Sequence, residues 1–132
     1  MPKTRIDGAA GLTVADVIHK QFSALPASAT IGEVRDWFAV STSRRMAFLA
    51  DEGRYAGSLT PEDIAGDELD PEIAAADVAM QWPTVPPEAP ATAGEHLALL
   101  TPARRVPVVD GDGRLLGVLS VSSDLETFCG TD

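Results

Sequence analysis

An internal repeat is the feature that most restricts how this chain can fold. The segment Arg44–Asp63 reads RRMAFLADEGRYAGSLTPED, and Arg104–Asp124 reads RRVPVVDGDGRLLGVLSVSSD. At an offset of 60 positions, 6 of the 18 aligned residues from Ser43 to Thr60 are identical in the two copies. In the first copy the identical residues are Arg44, Arg45, Gly53, Arg54, Gly57 and Leu59. The chain is therefore predicted to contain two copies of one structural unit that pack on each other.

Each copy is predicted to form a β-hairpin. Apolar runs at Met46–Ala50 and Tyr55–Leu59 flank a first turn that contains Gly53, and Arg105–Asp110 and Arg114–Val121 flank a second turn. Glycine adopts the positive φ that tight hairpin turns require. The four runs are therefore predicted to be paired strands.

Helices are predicted on both sides of the first hairpin. Thr13 begins a short helix, and Thr30–Val40 forms a longer one, because Thr30 and Glu33 make a capping box ahead of an apolar stripe. After the hairpin, Thr60-Pro61-Glu62-Asp63 has the threonine, proline and acidic residues of a helix start.

Helices are also predicted in the second copy. The alanine-rich segment Pro71–Met80 is predicted to be helical, and a second helix is predicted to be capped by Thr92 and Glu95. A last helix, capped by Ser122 or Ser123, is predicted to carry Leu125 and Phe128 inward.

The same patterns predict the domain organisation. Ala76-Asp77-Val78 repeats Ala15-Asp16-Val17 at an offset of 61, so the second copy is predicted to begin near Pro71. We expect a flexible leader over residues 1–12, a first repeat over 13–70 and a second repeat over 71–132, in one compact module. The fold class is α+β, because each repeat mixes helices with a sheet too small to be covered on both faces by its own residues.

Composition restricts the function. The chain has 20 acidic and 10 basic residues and a net charge of −10, which argues against general nucleic-acid binding, because that binding relies on neutralising phosphates. No apolar run approaches the roughly 20 residues of a membrane span. Cys129 is the only cysteine, so an internal disulfide is excluded and a cytoplasmic location is expected.

No catalytic or metal-binding pattern is found. His19 and His96 lie far apart, and neither has a second histidine or a cysteine at metal-ligand spacing. The sequence Asp110-Gly111-Asp112-Gly113-Arg114 places an arginine at the third ligand position of a calcium loop and is interpreted as a turn. No nucleophile elbow or catalytic triad pattern is present, so the protein is not predicted to be an enzyme.

The order of these motifs resembles a tandem pair of CBS domains, the ligand-sensing modules named after cystathionine β-synthase. The resemblance covers about Leu12 to Phe128. The residues that carry it are Phe48-Leu49-Ala50-Asp51, Gly53 and Gly57–Asp63 in the first copy, and Val106-Pro107-Val108-Val109-Asp110, Gly113 and Gly117-Val118-Leu119-Ser120 in the second. The resemblance implies two repeats, each with a three-stranded sheet and two helices, that pair through their sheets by pseudo-twofold symmetry and form two clefts.

The resemblance also implies a ligand site. In that family the clefts commonly bind adenine nucleotides or S-adenosylmethionine. A threonine-x-x-aspartate motif contacts the ribose, and a hydrophobic-x-hydrophobic strand with a proline lines the adenine slot. Thr60 and Asp63 match the first motif, and a carboxylate can accept hydrogen bonds from both hydroxyls of a diol. Val106, Pro107 and Val108 match the second.

Each copy departs from one half of that signature. The second copy has serines after Ser120 and places Asp124 one position late, so either a one-residue shift restores Asp124 or the ribose contact is lost. The first copy has Ala47 where the second has its strand motif. A cleft that combines the strand of one copy with the aspartate of the other would be complete, so one good site is expected rather than two.

The same residues have structural explanations. Thr60 and Asp63 also make an ordinary capping box. Four arginines precede the predicted strands and either meet phosphates or lie at helix C-termini. They are Arg44, Arg45, Arg104 and Arg105.

The predicted function is that of a freestanding regulatory module that changes the conformation of a dimer or partner when it binds AMP, ADP, ATP or S-adenosylmethionine. The predicted nucleotide-binding residues are Thr60, Asp63, Arg104, Arg105, Val106, Pro107, Val108, Ser120 and Asp124. No cofactor is required. A homodimer and a regulated protein partner are expected, without nucleic acid or membrane. The alternative is a ligand-free dimerisation scaffold with degenerate clefts, which Ala47 and the displaced Asp124 favour.

Overall fold

The computed structural model describes residues 5–8, 11–18, 24–41, 44–66, 68–81, 83–101, 103–122 and 125–129, with only the backbone at Asp7 and Cys129. The chain divides into two units. We call Ser23–Trp82 the central unit, and Met1–Phe22 together with Pro83–Asp132 the flanking unit. Each unit contains one three-stranded sheet, and the predicted α+β fold class is confirmed.

The helices are α1 (Val14–Val17), α2 (Ile31–Ala39) and α3 (Ala91–Leu99). The strands are β1 (Ala24–Pro26), β2 (Ala47–Asp51), β3 (Arg54–Leu59), β4 (Arg105–Val109), β5 (Leu115–Val121) and β6 (Phe128–Cys129). Short 3-10 helices cover Ile6–Gly8, Pro61–Ile64 and Ala75–Asp77.

The central unit is built on the first predicted hairpin, which the structure confirms. β2 pairs with β3 in antiparallel register, and β1 runs parallel to β2 with Leu25 opposite Leu49. The turn consists of Glu52 and Gly53, whose φ angles are 52° and 84°. Two consecutive positive φ angles match the right-handed twist of paired strands, so this turn closes the hairpin without splaying it.

The second predicted hairpin is confirmed in the flanking unit, with a different turn. β4 and β5 are antiparallel, and Gly113 has a φ of 86°. Oδ1 of Asp110 accepts hydrogen bonds from the backbone N–H groups of Asp112 and Arg114, both over 2.9 Å. The carboxylate is therefore used to shape the turn, as expected of an aspartate that begins a turn.

Both hairpins contain a bulge at the same place. The register shifts between Leu49 and Ala50 in the central unit and between Val108 and Val109 in the flanking unit. The repeated glycines Gly57 and Gly117 lie directly beside these shifts, opposite Leu49 and Val108. The two hairpins therefore share a bulge at the position of the repeated glycine, and bulges often require glycine.

The register corrects the alignment of the two strand motifs. Ala47 lies opposite Leu59, and Val106 lies opposite Leu119, so Ala47 is equivalent to Val106 at an offset of 59. Phe48 is then the residue equivalent to Pro107. The offset between the two copies is 59 before the turns and 60 after them, because the second turn is one residue longer than the first.

Backbone hydrogen bonds explain why the units differ from the predicted repeats 13–70 and 71–132. The N–H of Ala91 at the start of α3 donates to the carbonyl of Leu12 over 2.9 Å, and the N–H of Ile31 at the start of α2 donates to Ile73 over 2.9 Å. The first N–H groups of a helix have no partner within the helix. The segment that precedes β1 therefore closes the flanking unit, and the segment after β3 closes the central unit.

Two predicted helix starts in the second copy are wrong. Pro90, not Thr92, occupies the N-cap of α3, and Thr92 lies within the helix. The segment Pro71–Met80 contains only the 3-10 helix Ala75–Asp77, because its backbone is bonded to other parts of the central unit. The carbonyl of Ile73 accepts from Ile31, the N–H of Ala75 donates to Ala29, and Met80 exchanges two hydrogen bonds of 2.9 Å with Ser58. Backbone groups paired with a strand cannot also form a continuous helix.

The predicted last helix is also wrong. β5 continues to Val121, and the N–H of Ser122 donates to the carbonyl of Thr127 over 2.9 Å, which turns the chain back into β6. Phe128 is buried as predicted, whereas Leu125 is 53% exposed. Within the predicted leader, Ile6–Gly8 forms a 3-10 helix, and the N–H of Ile6 donates to the carbonyl of Glu126 over 2.9 Å.

Candidate functional site

The Thr60–Asp63 turn lies at the end of β3 in the central unit. The backbone N–H of Thr60 donates to Oδ2 of Asp63 over 2.8 Å, and the N–H of Asp63 donates to the carbonyl of Thr60 over 3.0 Å. Thr60 is buried with 7% of its surface exposed, and Asp63 is half-buried. The helix that follows, Pro61–Ile64, is a 3-10 helix of four residues. The turn fixes Asp63 at the surface end of a buried strand.

One oxygen of Asp63 remains available. Among the described residues, no group other than the N–H of Thr60 donates to this carboxylate, so Oδ1 has no partner there. A carboxylate oxygen accepts two hydrogen bonds. Asp63 can therefore hold the turn with Oδ2 and accept hydrogen bonds from a ligand with Oδ1.

The cap itself is a recurring local device in this chain. The N–H of Thr13 donates to Oδ2 of Asp16 over 2.8 Å, and the N–H of Thr30 donates to Oε1 of Glu33 over 3.0 Å. The bond between Thr60 and Asp63 has the same geometry. The structural explanation of the threonine-x-x-aspartate motif is thus satisfied at Thr60, and ribose contact by Asp63 stays a prediction.

The strand motif of the second copy lies in β4. Val106 and Val108 are at most 1% exposed and belong to the core of the flanking unit. Side chains alternate along a strand, so Pro107 points to the opposite face of the sheet. The carbonyl of Pro107 accepts a hydrogen bond from the N–H of Val85 over 3.2 Å. Val85 forms only an isolated parallel bridge to β4. At the equivalent position, the central unit has the three-residue strand β1.

Ser120 does not begin a helix. It lies within β5, opposite Arg105 on one side and Cys129 on the other, and it is buried with 6% exposed. The chain stays extended through Val121, so the described residues up to Ser122 do not form the turn that fixes Asp63 in the central unit. Asp124 lies outside the described residues, and so does His19.

The arginines contact backbone carbonyls. Nε of Arg104 donates to the carbonyl of Val121 over 3.3 Å, and Nη1 of Arg105 donates to that of Ala103 over 2.8 Å. In the central unit, Nη1 of Arg44 donates to the carbonyl of Trp37 over 2.6 Å, and its guanidinium carbon lies 4.4 Å from the centre of the Trp37 ring. Arg44 thus binds the last turn of α2, in agreement with the helix-terminus explanation.

The predicted site residues fall in separate units. Thr60 and Asp63 belong to the central unit, and the others that the structure describes belong to the flanking unit. These others are Arg104, Arg105, Val106, Pro107, Val108 and Ser120. The combination of Asp63 with the strand motif of β4 stays a prediction.

A groove beside α2 was not predicted from the sequence. Its volume is about 290 Å³, and its lining residues are Arg35, Phe38, Ala39, Pro61 and Ile64. Nε of Arg35 donates to the carbonyl of Ile64, and Nη2 donates to that of Gly66, both over 2.9 Å. An arginine within the apolar pattern of α2 was the available signal, but its partners lie 29 and 31 residues further along the chain.

The described part of the chain contains neither a cluster of metal ligands nor a membrane-spanning helix. No group of three or more His, Cys, Asp or Glu residues there could hold a metal ion. No helix there is long and apolar enough to cross a membrane.

Comparison with known proteins relates part of the sequence, and the fold, to a known family. The CBS domain family model matches residues 75–123. No curated protein matches the sequence. Among solved structures, the CBS-pair protein CBSX2 from Arabidopsis thaliana has a TM-score of 0.71 and 19% identity, with 82% of this chain and 87% of that chain covered. A CBS domain pair/ACT domain protein from Thermotoga maritima has a TM-score of 0.70 and 23% identity, with coverage of 83% and 89%.

The fold and the matched segment define a module built on a CBS pair. The chain contains a CBS domain over residues 75–123 and has the fold of CBS-pair proteins, as the sequence resemblance implied. Two similar structures hold nucleotides: CBSX2 in complex with AMP, with a TM-score of 0.69, 20% identity and coverage of 82% and 89%, and the cytosolic domain of the Mg²⁺ channel MgtE in complex with ATP. The latter has a TM-score of 0.65 and 21% identity, and the alignment covers 78% of this chain and 43% of that one.

Proposed function

We propose that this protein is a regulatory module that binds an adenine nucleotide or S-adenosylmethionine, with Asp63 as the ribose-binding residue. The observation that carries the proposal is Oδ1 of Asp63, which has no hydrogen-bond partner among the described residues, while a 2.8 Å hydrogen bond from Thr60 to Oδ2 holds the carboxylate in place. A ribose presents two adjacent hydroxyl donors, and one carboxylate oxygen can accept from both.

The similar structures support the class of ligand. One is a complex with AMP and another is a complex with ATP, and both share the fold with this chain at 20% and 21% identity. The adenine slot is proposed to involve Val106, Pro107 and Val108. Arg104 and Arg105 are proposed to lie near the phosphates, since a guanidinium has five N–H donors and can contact a phosphate while it is bound to a carbonyl.

No bond is made or broken in this function. The module would act through different affinities of its ligand for two conformations, which shift the population of a dimer or a partner complex. A homodimer, a regulated protein partner and a cytoplasmic location are parts of the proposal.

The test is the thermal unfolding of the protein with AMP, ADP, ATP and S-adenosylmethionine, for the natural sequence and two variants. A ligand at 100 times its dissociation constant adds about 2.7 kcal/mol of stability. We expect at least one ligand to raise the melting temperature of the natural protein. Asp63→Ala should remove that shift.

Asp16→Ala is the matched control. It removes the same type of cap, since Thr13 donates to Asp16 over 2.8 Å, as Thr60 does to Asp63. Each variant should lose about 1 kcal/mol of stability from the cap alone. Only Asp63→Ala should also lose the ligand shift. Equal ligand shifts in both variants would remove Asp63 from the site, and no shift of the natural protein with any of the four ligands would exclude the adenosyl proposal.

A ligand-free scaffold is the second candidate function. The continuation of β5 through the buried Ser120 favours it, because a strand occupies the position at which the central unit begins the Thr60–Asp63 turn. This candidate predicts a stable dimer whose melting temperature does not change with any of the four ligands.

A further inference from the structure

The groove beside α2 combines apolar walls with a single cation. Phe38, Ala39, Pro61 and Ile64 form the walls, and Arg35 is the one charged residue among the described residues that line the groove. Small-molecule sites are typically mostly apolar, with a few placed polar groups. The volume of about 290 Å³ lies just below the roughly 300 Å³ at which drug-sized ligand sites begin. The groove therefore has the composition of a ligand site and room for a small molecule.

Arg35 is held in place without being neutralised. Its Nε and Nη2 atoms donate to the carbonyls of Ile64 and Gly66, both over 2.9 Å. Both partners are neutral, and no described residue provides the guanidinium with an acidic partner. A guanidinium has five N–H donors, so three remain, two of them on Nη1. Nη1 and Nη2 can therefore bind the two oxygens of a carboxylate, in the bidentate geometry that arginine favours.

The apolar walls of the groove are fixed by their own packing. The rings of Phe38 and Trp37 pack edge to face, with their centroids 5.0 Å apart. The guanidinium carbon of Arg44 lies 4.4 Å from the centre of the Trp37 ring on α2. Ile64 is 3% exposed and belongs to the core of the central unit. Binding costs less free energy when few side chains must be ordered, so these walls favour a ligand.

The described part of the flanking unit has different residues at the key positions. α2 and α3 have the same length and start 60 residues apart, so Glu95 occupies the position of Arg35. A glutamate would repel an anion. β5 also extends through Val121, at the position where the central unit has Pro61. The cationic groove therefore depends on the sequence of the central unit and not on the repeated fold alone.

The charge of the groove indicates the class of ligand. A monoanion balances one guanidinium, whereas a phosphate ester with two charges would leave one charge uncompensated against apolar walls. The net charge of −10 repels anions in general, but salt at physiological concentration screens charges beyond about 8 Å. Direct contact with Arg35 is therefore needed to hold an anion, and burial of an apolar body must supply the rest of the affinity.

We propose that the groove binds a small monocarboxylic acid whose apolar body is a ring or a branched chain. The carboxylate pairs with Arg35, and the apolar body packs between Phe38 and Ile64. The groove shares no residue with the predicted nucleotide-binding residues, so this site goes beyond the proposed function and does not rest on it.

The first test is an NMR titration of the isotope-labelled natural protein with three compounds at about 0.15 M salt. Phenylacetate has both parts of the proposed ligand, phenylacetamide keeps the ring without the charge, and acetate keeps the charge without the ring. Phenylacetate should bind with a dissociation constant of about 1 mM or lower, as a ligand of about ten non-hydrogen atoms can. It should shift the amide signals of Phe38, Ala39 and Ile64.

Phenylacetamide and acetate should bind at least about tenfold more weakly than phenylacetate, because each lacks one of the two contacts. Equal affinities for phenylacetate and phenylacetamide would overturn the proposal, because the charge of Arg35 would then play no part. Unchanged spectra at about 10 mM phenylacetate would overturn it as well.

The second test removes the cation. Arg35→Gln should weaken phenylacetate at least about tenfold and leave the affinity for phenylacetamide unchanged. Arg54→Gln is the matched control, because Arg54 is an exposed arginine of the same unit that does not line the groove. Equal affinities of the two variants for phenylacetate would contradict the pairing with Arg35.

The third test fills the groove and keeps the cation. Ala39 is exposed and lines the groove at the end of α2, so Ala39→Trp should abolish the phenylacetate shifts. Ala76→Trp is the control, because Ala76 is an exposed alanine of the same unit outside the groove, and it should bind phenylacetate like the natural protein. Undiminished binding to Ala39→Trp would show that phenylacetate binds elsewhere and would refute the site.

Discussion

Gly94 of α3 lies against Leu119 of β5 so closely that a Cβ atom on Gly94 would be 2.5 Å from Cδ1 of Leu119. The same Cβ would be 3.2 Å from Cγ2 of Val14 in α1. Gly94 is the point at which helix, sheet and the N-terminal segment of the flanking unit meet. Only the absence of a side chain allows α3 to approach the sheet this closely.

We predict that Gly94→Ala destabilises the protein by about 1–3 kcal/mol, the usual cost of overpacking a core. In an uncrowded helix the same change would stabilise by roughly 0.5–1 kcal/mol, because alanine is the better helix former. Urea unfolding monitored by circular dichroism gives the sign. A more stable Gly94→Ala protein would show that Leu119 can move away without cost.

The start of α3 provides a second prediction. Thr30 accepts a hydrogen bond from the N–H of Glu33 over 3.2 Å at the start of α2, whereas Thr92 lies inside α3 and caps nothing. Thr30→Ala should therefore cost about 1 kcal/mol of unfolding free energy. Thr92→Ala should be neutral or slightly stabilising. Equal losses of unfolding free energy in the two variants would show that Thr92 caps α3, as the sequence pattern predicted.

Local patterns in the sequence were sufficient for the hairpins and for α2. Each of these elements is specified by neighbouring residues: the glycine of the turn, the alternation of the strands, the box of Thr30 and Glu33. The resemblance to CBS pairs then supplied the fold, and the similarity to solved CBS-pair structures confirms it.

The errors arise where distant backbone decides the structure. Thr92 resembles a cap, but the N–H of Ala91 already has the carbonyl of Leu12, from the other end of the flanking unit, as its partner. Met80 was likewise predicted to be helical, but it forms a β-bridge with Ser58. Neither partner lies within one turn of helix, so no local pattern reveals it. The groove beside α2 could not be predicted from the sequence for the same reason, because Arg35 and Ile64 are far apart in the chain.

Thr101 joins α3 to β4, and it gives a third prediction. Its Oγ1 donates to the carbonyl of Ala98 over 2.9 Å or to that of Arg105 over 3.1 Å, and it accepts from the N–H of Arg105 over 3.1 Å. The side chain is 5% exposed. Thr101→Val keeps the shape but leaves buried backbone groups without a partner, which costs about 1–3 kcal/mol.

Thr84→Val is the control for that measurement. Thr84 is exposed, and within the described chain it makes no side-chain hydrogen bond, so the change should stay within about 0.5 kcal/mol. Urea denaturation of both variants provides the comparison. If Thr101→Val is as stable as Thr84→Val, the hydroxyl contributes nothing to the junction.

A fourth prediction tests the strand β6 by alanine substitution of Phe128 and Leu125. A helix after Ser122 would have carried both side chains inward, whereas the observed turn buries Phe128 completely and leaves Leu125 53% exposed with a φ of 63°. Phe128→Ala should therefore cost about 3–5 kcal/mol through the cavity it opens in the core of the flanking unit. Leu125→Ala should cost only about 1 kcal/mol, because about half of its surface stays exposed in the folded protein. Urea unfolding of both variants provides the measurement. If both lose several kcal/mol, Leu125 must be buried, which agrees with the predicted helix and contradicts the turn into β6.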